Sequence, residues 1–239
     1  MKTAIFDIDG TLFRSSLLIE LTEEMIASEL FPKEAAAEYQ KEKEEWLNRN
    51  GPYEDYIGAV VKTFIKHLKG IHYGDFMEVS KKVAEREGNK LYRYTRDLLP
   101  QLKKRGYFLL AVSQSPKGTL DAFCKNLGFD KVYGRIYQTG PENRFTGEVE
   151  DLQWIANKAN IVRRAINKED LTLEGSIGVG DTEDDLPLLE LVEYPICFNP
   201  NRELYRQARR RGWAVVVERK DVIYPILKPD YLEDHLVSQ

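Results

Sequence analysis

Asp7 and Asp9 stand one residue apart in Phe6-Asp7-Ile8-Asp9-Gly10-Thr11-Leu12, on a loop that Gly10 opens. Two carboxylates so spaced can point at one centre. An aspartate there can accept a phosphoryl group covalently, dividing a hard displacement into two easier ones. Paired aspartates alone would repel a phosphate dianion, so a divalent cation is needed to offset the charge. Magnesium suits the task, because it takes oxygen ligands from a few carboxylates together with phosphate and water. A second acidic stretch, Gly178-Val179-Gly180-Asp181-Thr182-Glu183-Asp184-Asp185, also follows an apolar run and can complete such a cation site. Val112-Ser113-Gln114-Ser115-Pro116 sets a hydroxyl at a strand end just before a helix, where hydroxyl and backbone N–H donors suit phosphate oxygens. Lys158 adds a compact cation able to steady both nucleophile and phosphate.

Each stretch alone has a plain structural explanation. Asp-Gly is a common turn, and Ser-Pro commonly opens a helix. Glu183-Asp184-Asp185 would complement a helix dipole, and an isolated lysine is ordinarily a surface residue. What favours chemistry is the set of four in this order, each following or flanking an expected strand.

The elements that must position these residues follow from the hydrophobic pattern. Thr3-Ala4-Ile5-Phe6 reads as a short buried strand. From about Phe13 to Asn89 the pattern turns helical, with runs Ser16–Leu30, Lys33–Asn48 and Tyr53–Lys69 broken at Gly51-Pro52 and Gly70. Beyond it, helices and strands alternate. A helix from Arg93 to Arg105 precedes the strand Tyr107–Val112, and a helix from Lys117 to Leu127 precedes Val132–Ile136. Phe145–Val149 reads as part of a hairpin. A helix from Leu152 to Ile166, carrying Lys158, leads to the strand Ser176–Val179, and two further units end in Trp213–Val217. This alternation predicts an α/β protein: a Rossmann-like parallel sheet core with an inserted all-helical cap domain. Ligands gather at the carboxyl ends of strands in such a sheet. The expected division is a core of residues 1–13 and 91–220, a cap of 14–90, and an irregular tail of 221–239.

On the residues Asp7-Ile8-Asp9-Gly10-Thr11, Ser113-Gln114-Ser115-Pro116, Lys158 and Gly180-Asp181-Thr182-Glu183-Asp184-Asp185-Leu186-Pro187, the chain resembles the haloacid dehalogenase superfamily, in its phosphoserine phosphatase-like branch. Asn199-Pro200, Gly212-Trp213 and Phe145-Thr146-Gly147 extend the resemblance over most of the core; the cap matches only in position and helical character. The resemblance implies Asp7 as nucleophile and metal ligand. It implies Asp9 as the acid that protonates the leaving oxygen and then the base that activates water, its backbone carbonyl also on the metal. Ser113, Gln114, Gly10 and Lys158 would contact the phosphate, with Lys158 also catalytic. Asp181 would bind Mg2+, with Asp185 on the ion or one layer behind it. Asp9 favours phosphatase or mutase chemistry over haloalkanoate dehalogenation, which uses no second aspartate there. The implied activity is magnesium-dependent hydrolysis of a small organic phosphomonoester through an aspartyl-phosphate; the rivals are phosphoryl transfer to a sugar or alcohol and a non-catalytic binding protein. Gln114 departs from the small residue often found after the motif serine. In phosphoserine phosphatases a glutamate nine residues past the nucleophile binds the amino acid; here that place is Ser16, with Glu20 further on, which argues against phosphoserine.

Composition narrows the rest. A net charge of −4 over 239 residues argues against a nucleic-acid binder, and Arg209-Arg210-Arg211 fits the last turn of a helix. No apolar run reaches transmembrane length, and no secretory leader is evident, so a small phosphorylated metabolite in the cytoplasm is the expected partner. Cys124 and Cys197 read as buried, unpaired packing residues. His67, His72 and His235 are too scattered for a metal site. Among the cap aromatics Tyr39, Trp46, Tyr53, Tyr56, Phe64, Tyr73 and Phe76, any that faced the cleft would suit a cationic or flat substrate. Arg14, where the chain leaves for the cap, is a candidate for a carboxylate or second phosphate.

Overall fold

The first strand, β1 (Lys2–Phe6), is buried on both faces: Ala4 and Phe6 point into one apolar cluster, Ile5 into another. The structure, a computed structural model, describes residues 1–150 and 157–230. After β1 come α1 (Leu17–Ala27), a 3-10 turn over Lys33–Glu38, α2 (Gln40–Leu47), α3 (Tyr53–Leu68) and α4 (Tyr73–Glu87). The main chain then gives α5 (Arg93–Lys104), β2 (Phe108–Pro116), α6 (Lys117–Cys124) and β3 (Lys131–Arg135). A two-stranded hairpin, β4 (Tyr137–Thr139) and β5 (Phe145–Val149), leads to α7 (Lys158–Lys168), β6 (Thr172–Gly180), α8 (Leu186–Leu189) and β7 (Tyr194–Phe198). The last elements are α9 (Arg202–Arg211), β8 (Ala214–Arg219) and β9 (Val222–Leu227).

The main sheet has the order β3-β2-β1-β6-β7-β8-β9, parallel throughout except for β9. Alternation along each strand feeds the two faces in turn. Leu109 and Ala111 join Phe6, whereas Leu110 and Val112 join Ile5; Val216 and Val215 divide in the same way. Full burial of an aromatic such as Phe6 contributes roughly 2–3 kcal/mol. Crossovers leave β1 toward β2 on one side and β6 lies on the other, so the carboxyl end of β1 is the switch point where α/β sheets bind ligands.

The helical insert has its own core. Met25, Phe31, Tyr56, Val60, Phe64 and Phe76 pack together, with Tyr137 and Phe145 of the hairpin among them. The hairpin lies in sequence within the expected core segment 91–220, yet it packs with the insert. The insert's two connections run side by side: Arg14 N–H donates to Lys90 O and Tyr92 N–H to Leu12 O, both at 2.9 Å.

Several expectations shift. The tail is not irregular from Asp221, because β9 pairs antiparallel with β8, Glu218 opposite Ile223. Pro225 disguises this strand, but a sheet edge tolerates proline. The helix expected from Leu152 begins at Lys158: Asn157 is non-helical and caps it by accepting the Ala159 N–H at 2.9 Å. Residues 151–156, where the earlier start was expected, and 231–239, with His235, lie outside the described residues. The strand expected to stop at Val112 runs on to Pro116, carrying Ser113 and Ser115 within it. The arginine run does close a helix, α9, before Gly212 at φ 68°. Both cysteines are free and buried. Among the described residues no helix is long and apolar enough to cross a membrane.

Candidate active site

The carboxyl ends of β1, β2 and β6, with the start of α7, bring the chemistry-bearing side chains to one place. Asp7 directly follows β1 and is anchored to β6 by its N–H on Val179 O at 2.9 Å. Lys158, the first residue of α7, reaches Oδ1 of Asp7 and Oδ1 of Asp185, each at 2.5 Å. All three side chains are at most 5% exposed, so these are interior ion pairs rather than surface ones. The other Asp185 oxygen accepts the N–H groups of Asp181 and Thr182 at 2.9 and 3.2 Å, closing a capping box at the loop after β6. Thr11 donates its hydroxyl to Asp181 at 3.2 Å.

Asp9 is turned away from this group. One of its oxygens accepts the Leu17 N–H at 2.6 Å, at the start of α1 in the insert. The other accepts the hydroxyls of Ser113 and Ser115 at 2.6 and 2.8 Å. The Ser113 hydroxyl, expected at phosphate, is therefore buried against Asp9, whereas Ser115 lines the cavity above the site. Residues i and i+2 of a strand share a face, so both serines reach one carboxylate. That period was legible in the sequence, although Ser115 was given no role there. Gln114 reaches the same wall from the same strand.

The cavity encloses about 1000 Å³ between sheet and insert, with Asp7, Asp9, Gly10, Lys158 and Asp181 along its wall. Of the seven cap aromatics, Trp46, Tyr53 and Tyr56 line it, while Tyr39, Phe64 and Phe76 fill the insert's core. Tyr73 packs on Phe76 and Phe145. Tyr53 lies close enough to Asp9 and Asp181 that, after burial, their charges push its hydroxyl pKa up. Asn201 was missed in the sequence because its cap position alone signals no chemistry. It caps α9, donates its N–H to Asp181 O at 2.8 Å, and its amide reaches both Glu183 and Glu54 of α3. His67 pairs with Glu38, and His72 caps α4.

Asp7, Asp181 and Asp185 form the group, among the described residues, whose oxygens lie within 4.8 Å of one another as a metal ion requires. The residues fit a hard divalent cation. Oδ2 of Asp7 is buried without a hydrogen-bond partner. Gly10, at φ 83°, leaves open the space beside Asp181, where a Cβ would stand 2.1 Å from Oδ2. Three carboxylates face one lysine, so the metal-free site carries excess negative charge. Burial, and then Asp185 and Asp9, push the Asp7 pKa up to about 7 against the pull of Lys158. Burial, Asp7 and Asp185 likewise raise Asp181 well above the carboxylate range. Burial opposes the charge of Lys158, but Asp185 and Asp7 outweigh it and hold its pKa above the ordinary lysine value.

A stability signature follows. Between the ordinary carboxyl value of 3.8 and about 7, folded metal-free protein keeps a proton on Asp7 that the unfolded chain has lost. Its stability therefore falls as pH rises through that window. The thermal midpoint of chelator-treated protein is expected to decline from about pH 4 to about pH 7. Magnesium is expected to raise the midpoint more near pH 7.5 than near pH 5, where protons compete for the carboxylates. A metal-free midpoint that climbs across the window would contradict this charge balance.

Comparison with known proteins places this arrangement. A family model described as haloacid dehalogenase-like hydrolase matches residues 4–190. Histidinol-phosphatase of Neisseria meningitidis serogroup C is 25% identical over 226 residues, covering 89% of this chain and 97% of that protein. The "Inhibition of morphological differentiation protein" of Streptomyces azureus is 30% identical over 126 residues; the match covers 53% of this chain and about half, 46%, of that protein. A solved structure of a phospho-aspartyl intermediate analogue of phosphoserine phosphatase superimposes with a TM-score of 0.62 at 22% identity, covering 92% of this chain and 94% of that one, and so shares the fold. With the aspartate pair, the lysine and the acidic loop all falling within the matched span, the chain belongs to the haloacid dehalogenase-like hydrolases.

Proposed function

We propose that the chain is a magnesium-dependent phosphatase that hydrolyses a small organic phosphomonoester through a phosphoryl group carried on Asp7. The observation that carries this reading is the Asp7 carboxylate, with one oxygen held by Lys158 and the other buried and unpartnered at the cavity wall. In the first step an Asp7 oxygen attacks phosphorus in line. The bond to the leaving oxygen breaks, and protonated Asp9 gives that oxygen its proton. In the second step Asp9 takes a proton from water as the water oxygen attacks phosphorus. The bond to Asp7 breaks, restoring the carboxylate and releasing orthophosphate.

Lys158 offsets the charge on Asp7 and on the phosphoryl oxygens throughout. Ser113 and Ser115 fix the aim of Asp9, and the Gln114 amide at the cavity wall supplies a contact to the phosphate, whereas the Gly10 N–H is taken by Phe13 O at 2.9 Å. Asp7, Asp181 and Asp185, with the Asp9 backbone carbonyl, would hold Mg2+. Bound there, it neutralises phosphate charge and orients the group for in-line attack. Residues 14–90 act as a cap over the cavity, whose closure excludes bulk water. A small phosphorylated metabolite in the cytoplasm is the partner that suits this reading.

Orthophosphate release from a panel of small phosphomonoesters tests it. Release is expected to require magnesium, to stop with EDTA, and to match the alcohol formed mole for mole. Turnover indifferent to EDTA would sink the magnesium requirement. Alcohol formed in excess of phosphate, with phosphorylated acceptor appearing, would make the enzyme a transferase instead.

A further inference from the structure

Carboxylates outnumber cations along the cavity wall, eight (Asp7, Asp9, Glu20, Glu23, Glu54, Asp181, Glu183 and Asp184) against four, and two of the four cations are already neutralised. Lys158 is held by Asp7 and Asp185, and Lys43 by Glu23 at 2.5 Å. Arg14 is exposed at the connection to the insert. Arg135 differs from all three. It ends β3, beside Pro116 of β2, and its guanidinium enters the cavity half-buried. Its Nη2 donates to Oε1 of Gln114 at 2.6 Å, and Gln114 is a neutral partner. Its Nε is buried, the buried Tyr137 hydroxyl lies against the guanidinium, and among the described residues no carboxylate pairs with it.

We propose that Arg135, braced by Gln114, is a specificity-determining residue that binds a carboxylate carried by the substrate beside its phosphoryl group. The proposal rests on the phosphatase reading above in seating the phosphoryl group at Asp7. A guanidinium carries five N–H donors, and those that Gln114 and Tyr137 leave over are available to a ligand oxygen in the cavity. The planar guanidinium fork matches a carboxylate with two parallel hydrogen bonds, and its charge is unopposed. The surplus of acidic groups in the wall disfavours a second dianionic phosphate and leaves the singly charged carboxylate as the better match. Gln114 gains a role here that a small residue after the motif serine could not fill. It lies between Ser113 and Ser115, both on Asp9, so the braced arginine is one side chain away from the reacting centre. Arg14, the candidate from sequence, lacks both the brace and the burial.

Binding measured by calorimetry, with magnesium present, separates this proposal from turnover. The probes are phosphonoacetate and ethylphosphonate, which share a phosphonomethyl group and of which only the first carries a carboxylate. Wild type is expected to bind phosphonoacetate about tenfold or more tightly than ethylphosphonate, the scale of a hydrogen-bonded charge pair. Arg135→Met is expected to bring the two within about threefold of each other. Gln114→Leu, which keeps the charge but frees the fork, is expected to give an intermediate preference, and Arg14→Met to retain it. Equal affinities in wild type would overturn the proposal. So would an Arg135→Met variant that weakens both probes alike, which would assign Arg135 to the phosphoryl group itself. A preference lost in Arg135→Met by a protein that hydrolyses no phosphomonoester would uphold the carboxylate contact while the hydrolytic reading falls.

Discussion

Asp7→Asn is expected to lower kcat for phosphate release by about 10⁴- to 10⁶-fold, the scale on which removing a covalent nucleophile acts. The amide keeps the size of the carboxylate, and its oxygen can still accept from Lys158, so the pocket is preserved. Its nitrogen is a poor nucleophile and a poor metal ligand. The wild-type carboxylate is also a burden to the metal-free fold, since burial and its acidic neighbours push its pKa up to about 7. Above that pH the substitution is expected to leave the metal-free thermal midpoint unchanged or higher, while magnesium stabilises the variant less than wild type. Activity and melting measured together make the test specific. Near-normal turnover in a well-folded Asp7→Asn protein would remove the aspartyl-phosphate mechanism.

Lys158→Met is the second large effect, and it reaches stability as well as rate. The lysine neutralises two carboxylates in a site at most 5% exposed. Without it, Asp7, Asp181 and Asp185 face one another uncompensated. Breaking a buried pair by removing one partner costs about 3–5 kcal/mol, or roughly 10 °C in midpoint for a chain of this size. In rate, the loss of a preorganised cation at the reacting centre is expected to be about 10²- to 10³-fold. The pH dependence identifies the cause. Lys158 lowers the Asp7 pKa, so its removal moves protonation further upward and favours the neutral acid. The stability deficit of the metal-free variant should thus be small near pH 4 and grow toward pH 8. A deficit of equal size at every pH would point to lost packing of the lysine stem rather than to charge.

Much of this site was legible in the chain because its parts are local. A short run, Thr3-Ala4-Ile5-Phe6, then Asp-x-Asp-Gly, places two carboxylates at a strand end whatever the strand pairs with. The acidic loop after β6 reads in the same way, and so does the alternation of strand and helix that predicts a parallel sheet. Hydrophobic period is a property of neighbours in sequence, and neighbours in sequence suffice to reveal it.

Other features were decided only when distant segments met. Lys158 taken alone reads as an ordinary surface lysine and is singled out only by the company of the aspartate motifs; its contact with Asp7, 151 residues away, is made by α7 packing across the sheet. Ser113 was expected at phosphate, but the turn of Asp9 toward Leu17 brings its carboxylate to the hydroxyls of Ser113 and Ser115 alike, and of the two serines Ser115 also lines the cavity. The hairpin's Tyr137 and Phe145 look like core residues by position, yet they seal the insert, because apolar surface is buried against whichever body lies nearest in space. Likewise β9 becomes a strand through pairing with β8, which supplies the ladder its own sequence scarcely signals. By itself, then, the sequence determined which segments could end in chemistry and what chemistry their side chains allow. Tertiary structure decided which of those side chains are buried together, and burial in a low-dielectric site is what turns four ordinary residues, Asp7, Lys158, Asp181 and Asp185, into one strongly interacting group.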